Sequence, residues 1–168
     1  LIAEGKACAL GEVGRPHWEV SDEIWDLSNK LLQETMVIAS RAGVPLQLHM
    51  EEDGGQTYSD LQQMASSAGL DPVRLVRHFA PPDISFQTVG EITPSVNLRK
   101  DGIDILIDTY RDNHHGFMLE TDYMDDPRRP GAVLGPKVVP KRTQQIAGMA
   151  ENIGLDDEFF YRIHSDLP

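Results

Sequence analysis

Cysteine is almost absent: the chain has one, Cys8. An internal disulfide framework and a cysteine-based zinc cage are therefore both excluded. No apolar run approaches membrane-spanning length, so no transmembrane helix is expected. No signal-peptide pattern precedes the first strand-like segment, which makes a cytoplasmic protein the default expectation. No Gly-rich phosphate loop follows any strand-like segment, and nucleotide-binding doubly wound folds lose weight accordingly. Positive charge is scarce, with 15 Lys plus Arg against 27 acids and a net charge of −12. Such a surface repels phosphate backbones at long range, so a general nucleic-acid-binding face is not expected. A local nuclease cleft stays open, because bound cations can reverse the sign inside it.

What remains is a chain of 168 residues, 40% hydrophobic, long enough for one domain with a real core. It opens at Leu1 without a methionine and closes at Pro168, directly after a helix-like segment. Neither end reads as a natural terminus, so the expectation is the C-terminal part of something longer.

Strand-like and helix-like segments alternate. Ala7 to Val13 reads as a buried strand ending in Gly11-Glu12-Val13-Gly14. Ser21 can cap a helix in which Ile24, Leu27, Leu31, Ile38 and Ala42 keep helical spacing as far as Gly43. Leu46 to Met50 is a second strand, Glu51 to Gln56 an acidic loop, and Ser59 to Ala68 a second helix. Arg74 to Phe79 is the third strand, Thr93 to Leu98 the fourth and Phe117 to Thr121 the fifth. Helices are expected over Asp101 to Asp112, from Pro140 to Ile153 and, capped by Asp156, from Asp157 to His164. The loop from Asp122 to Val139 is long enough to cover a site. Five strands alternating with helices mean parallel βα units, either an open sheet or an arc of a barrel.

The polar residues at the strand ends carry the chemistry. Glu12 ends the first strand, His49 the second and His78 the third, and Asp122 follows the fifth. In βα barrels that end holds the active site. Two imidazoles and two carboxylates converging there suit Zn, Mn, Ni or Fe. Taken singly, each has a plainer reading: a strand histidine is usually structural, and an acid after a strand is usually a cap or loop residue. Four at one end of parallel strands favour a metal site.

Other candidates are weaker. His17 and Arg15 could touch substrate, although His17 could equally pack on Trp18. His114-His115 and Asp125-Asp126 read as solvated residues, as do Arg128-Arg129 unless they reach an anionic substrate. Cys8 reads as a small buried hydrophobe.

Gly11-Glu12-Val13-Gly14, Leu46-Gln47-Leu48-His49, Arg77-His78-Phe79 and Leu119-Glu120-Thr121-Asp122 resemble, in order and approximate spacing, the successive motifs of TatD-family metal-dependent hydrolases. These are TIM barrels of the amidohydrolase superfamily. The resemblance implies that Glu12 is a bridging carboxylate ligand and that His49 and His78 are the two later histidine ligands. It implies that Asp122 binds metal and handles the proton of the attacking water. One or two divalent ions are implied, with Zn, Mn, Ni, Mg and Fe not distinguished. The five strands would be the fourth to eighth of an incomplete (β/α)8 TIM barrel, since a full barrel takes about 250 residues.

Two departures matter, the first for the metal shell and the second for the substrate. The family's first-strand His-x-His pair is absent. Where nuclease members often carry Ser-Arg after the second-strand histidine here, this chain has Met50-Glu51-Glu52, and Arg15-Pro16-His17 replaces a common Leu-Asp. An arginine replaced by acids weighs against phosphodiester substrates. The expectation is a metal-dependent hydrolase using metal-activated water on a phosphoester or amide-like bond of a small molecule, with nucleic acid disfavoured by charge. The alternatives are a C–N bond hydrolase acting on cyclic amides and a noncatalytic barrel fragment serving binding or assembly. An open sheet would expose its edges and an apolar interior, so the stretch alone is expected to be aggregation-prone, oligomeric or accompanied by the missing units.

Overall fold

The computed structural model describes residues 1–51, 54–97, 99, 101–110, 116–123, 128 and 134–167. Five strands, β1 (Leu10–Gly14), β2 (Leu46–His49), β3 (Leu75–Ala80), β4 (Thr93–Asn97) and β5 (Met118–Glu120), form one sheet in sequence order. Every neighbouring pair is parallel. The connections hold α1 (Asp22–Ala42), α2 (Gly54–Ala68), α3 (Phe86–Val89), α4 (Ile103–Tyr110), α5 (Val138–Ile153) and α6 (Asp157–Tyr161). This is the α/β arrangement of consecutive βα units, an arc of a TIM-type barrel.

Local chemistry explains most boundaries. Ser21 caps α1 by accepting from the Ile24 N–H at 3.4 Å, with Asp22 and Glu23 in the first turn. Gly43 ends it at φ 67°, a left-handed conformation that suits glycine. Asp156 caps α6 through the Phe159 N–H at 3.0 Å, and the chain then continues as a π-helical turn, Arg162–Asp166. The start of α2 at Gly54 lies five residues ahead of the expected Ser59. Thr57 and Tyr58 are buried there, so core contact overrides the poor helix propensity of the glycines.

The core has two lobes. One packs Leu32, Met36 and Ala39 of α1 and Leu61 and Ala65 of α2 onto Leu46 and Leu48. The other packs Ile103, Leu106 and Ile107 of α4, Ile146 of α5 and Phe159 of α6 onto Val96 and Phe117. Two expectations are corrected here. The stripe Ile24, Leu27, Leu31 and Ile38 does not face the sheet; each of these side chains is about half exposed. The buried set sits roughly 110° round the same helix, counting 100° per residue. Cys8 precedes β1 and is exposed, not buried. His114-His115, Asp125-Asp126 and Arg129 lie outside the described residues, and Arg128 is exposed.

Candidate metal centre

Glycine brings the first ligand to the second. Gly14 pairs with His49 across β1 and β2, and a Cβ on Gly14 would stand 1.5 Å from the His49 carbonyl oxygen. A Cβ on Gly11 would stand 2.7 Å from Gln47 Cβ. The two glycines flanking Glu12 thus allow β1 to lie close against β2, which carries Glu12 alongside His49.

Glu12, His49 and His78 each turn one ligand atom inward, and these atoms all lie within 4.8 Å of one another. Glu12 Oε1 is 3.2 Å from His78 Nε2, and Glu12 Oε2 is 3.6 Å from His49 Nδ1. Asp122 stands at the edge of this group, with Oδ1 3.5 Å from His78 Nε2. The imidazoles of His49 and His78 stack with centroids 5.7 Å apart. His17, Met50, Arg77 and Phe79 complete a cleft of about 450 Å³ around His49, His78 and Asp122.

The donor set fits a divalent ion. Ligands at about 2.0–2.2 Å from a shared ion stand roughly 3–4 Å apart, the spacing already held by Glu12 and His78. Two carboxylate oxygens aimed at one imidazole nitrogen need a positive centre between them, a proton or a metal. His49 Nδ1 is inaccessible to solvent and has no hydrogen-bond partner, an orphaned polar atom that a metal bond would satisfy.

Two residues at the mouth hold uncommon backbone conformations. Phe79 has φ 55° and Asp122 φ 49°. Left-handed non-glycine residues cost on the order of 1–3 kcal/mol each and persist only where surroundings hold them. Phe79 interrupts the β3–β4 register between Arg77 and Ala80, and this kink turns the strand end at the site.

Sequence reasoning gave no role to Glu120. Its side chain lies beneath His78, accepting from the Phe79 N–H at 2.8 Å and the Ser95 hydroxyl at 2.6 Å, with Oε2 3.0 Å from His78 Nδ1. Alternation was the available signal: Glu120 is two residues before Asp122, on the same side of the chain. Asn97, opposite Glu120 across β4 and β5, was also passed over; its Oδ1 is enclosed without a partner.

His17 lines the cleft and packs edge-on against Trp18 at 4.8 Å, as one of its two expected readings had it, and against His49 at 4.7 Å. Arg15 does not line the cleft. It is buried, forms a two-pronged ion pair with Glu51, donates to Asn29 Oδ1 at 3.3 Å and stacks 5.0 Å over Trp25. The acid that follows β2 holds this arginine outside the cleft around His49 and His78. Among the described residues no helix is long and apolar enough to cross a membrane.

Residues 1–163 match the family described as TatD related DNase. An uncharacterized protein of Methanocaldococcus jannaschii is 34% identical over 157 residues, which cover 94% of this chain and 53% of the relative. The chain therefore spans about half the length of the curated relative it matches. With that family match over nearly the whole chain, the chain belongs to the TatD-related DNase family, whose fold is a TIM barrel and whose members are in general metal-dependent hydrolases.

Proposed function

We propose that this chain supplies the fourth to eighth units of a hydrolase barrel and that Glu12, His49, His78 and Asp122 form its metal-holding mouth. The observation that carries the reading is the convergence of the ligand atoms of Glu12 in β1, His49 at the end of β2 and His78 in β3. A divalent ion held there would lower the pKa of water and polarise a carbonyl or phosphoryl oxygen.

The protein's own groups do the rest. Glu12 offers two carboxylate oxygens in different directions, one to each histidine, as a bridging ligand must. Asp122, partly exposed on the cleft wall, is the group that accepts the proton of the attacking water. His17 and Phe79 line the same cleft, one polar and one apolar, and offer surfaces against which a substrate can rest.

The substrate is a small molecule carrying a phosphoester or amide-like bond. The charge of −12 and the capture of Arg15 by Glu51 disfavour a polyanion. The same two observations favour the second reading, hydrolysis of a C–N bond in a cyclic amide. Turnover by the metal-loaded whole protein on a phosphodiester panel, against a lactam and amide panel, separates the two. Asp122→Asn should lower turnover on the accepted class by about 100-fold or more, as expected for loss of a general base. No turnover of phosphodiesters with any divalent metal would remove the first choice. Turnover of neither class, with metal bound, would leave the noncatalytic fragment.

A further inference from the structure

Among the described residues, the carboxylate under His78 is the most heavily engaged acid at the mouth, yet it is not part of the ligand cluster. Glu120 Oε2 receives the Ser95 hydroxyl and meets His78 Nδ1, while Oε1 receives the Phe79 N–H. We propose that Glu120 is a positioning residue: it fixes His78 with its proton on Nδ1, so that Nε2 faces the metal, and it clamps Phe79 in its left-handed conformation. The proposal rests on the metal reading above.

The chemistry of the atoms carries it. An ionised carboxylate only accepts, so the imidazole nitrogen that meets it must donate. With Nδ1 protonated, the lone pair of a neutral ring is on Nε2. That nitrogen is the one 3.2 Å from Glu12 Oε1 and 3.5 Å from Asp122 Oδ1. Partners of this kind hold a ligating ring in one tautomer and one orientation. Glu120 itself is held from three strands: its own β5, Ser95 on β4 and Phe79 on β3. The clamp has a second consequence. Phe79 lines the metal cleft and also a neighbouring cavity with Asn97 and Arg99. One carboxylate therefore sets both a ligand's orientation and the wall between two cavities. His49 turns Nδ1 toward Glu12, and among the described residues no side chain is hydrogen-bonded to its other ring nitrogen.

The test needs no turnover. In long-range proton–nitrogen NMR spectra of the zinc-loaded chain, His78 should show a protonated Nδ1 and a metal-bound Nε2. The reverse assignment overturns the proposal, and this holds even if a variant fails to fold. Glu120→Gln can present an amide N–H to Nδ1 and so favours the wrong tautomer. Its zinc affinity, by competition with a chromophoric chelator, should fall about 10–100-fold. A loss under about threefold, with the unfolding midpoint unchanged, also overturns it. Wild-type chain that binds no zinc would sink the metal reading together with Glu120's role. Zinc binding by wild type that Glu120→Gln leaves intact would sink Glu120's role alone.

Discussion

The β3–β5 half of the molecule and the β1–α1 margin are built to different standards. In the first, Val96, Leu106, Phe117 and Ile146 are fully enclosed, and His78 is buried on a carboxylate that three strands hold. In the second, Ile24, Leu27, Leu31 and Ile38 are half exposed, and Glu12 and His49 are each over 40% exposed. An apolar groove of about 760 Å³, lined by Leu1, Ile2, Leu10 and Ile38, runs along that margin. The ligand cluster straddles the border. It draws rigidity from one side and only proximity from the other.

Stability should divide the halves most sharply. Leu106→Ala should cost about 2–5 kcal/mol in urea unfolding, as a filled core position does. Leu27→Ala, on the exposed stripe, should change stability by no more than about 0.5 kcal/mol. Equal losses would erase the distinction. For metal, His78→Ala should reduce zinc affinity at least about 100-fold, and His49→Ala by less, because a braced ring loses less freedom on binding. The opposite order would mean that bracing does not set affinity.

Association is the next effect. Sedimentation of this chain should show self-association that Leu27→Glu with Leu31→Glu weakens, and a monodisperse wild-type monomer would contradict the reading of that face.

The smallest effect lies at the turn after β3. Burial would raise the Asp83 carboxyl, but the Ser85 N–H at 3.0 Å, the Ser85 hydroxyl and the Thr88 hydroxyl at 3.1 Å outweigh it and hold the group below its ordinary 3.8. A group so depressed adds stability above its unfolded value and loses that contribution as pH falls through the folded value. Asp83→Asn should therefore flatten the acid limb of the unfolding midpoint below pH 4 and leave neutral pH nearly unchanged. An identical acid limb in wild type and variant would refute the assignment.

The strand ends were legible because each site residue interrupts an apolar run at the point where a βα unit turns. Glu12, His49, His78 and Asp122 could be read that way from spacing alone, and the structure brings them to one mouth. Glu120 was not legible in the same manner: it sits within a strand, and its role depends on Ser95 and Phe79 from other strands. Arg15 showed the converse. Its position after Gly14 suggested substrate, but Glu51, remote in sequence, occupies it. Helix α1 misled because it carries two adjacent apolar stripes, and periodicity alone cannot say which one meets the sheet.

Zinc content after equilibrium dialysis, measured by elemental analysis on the wild-type chain and on Glu12→Gln, tests the shared-ion claim most directly. Retention of one or two ions by the wild type, and their loss from the variant at equal fold content, is the predicted result. The same content in both proteins, or none in the wild type, would contradict it.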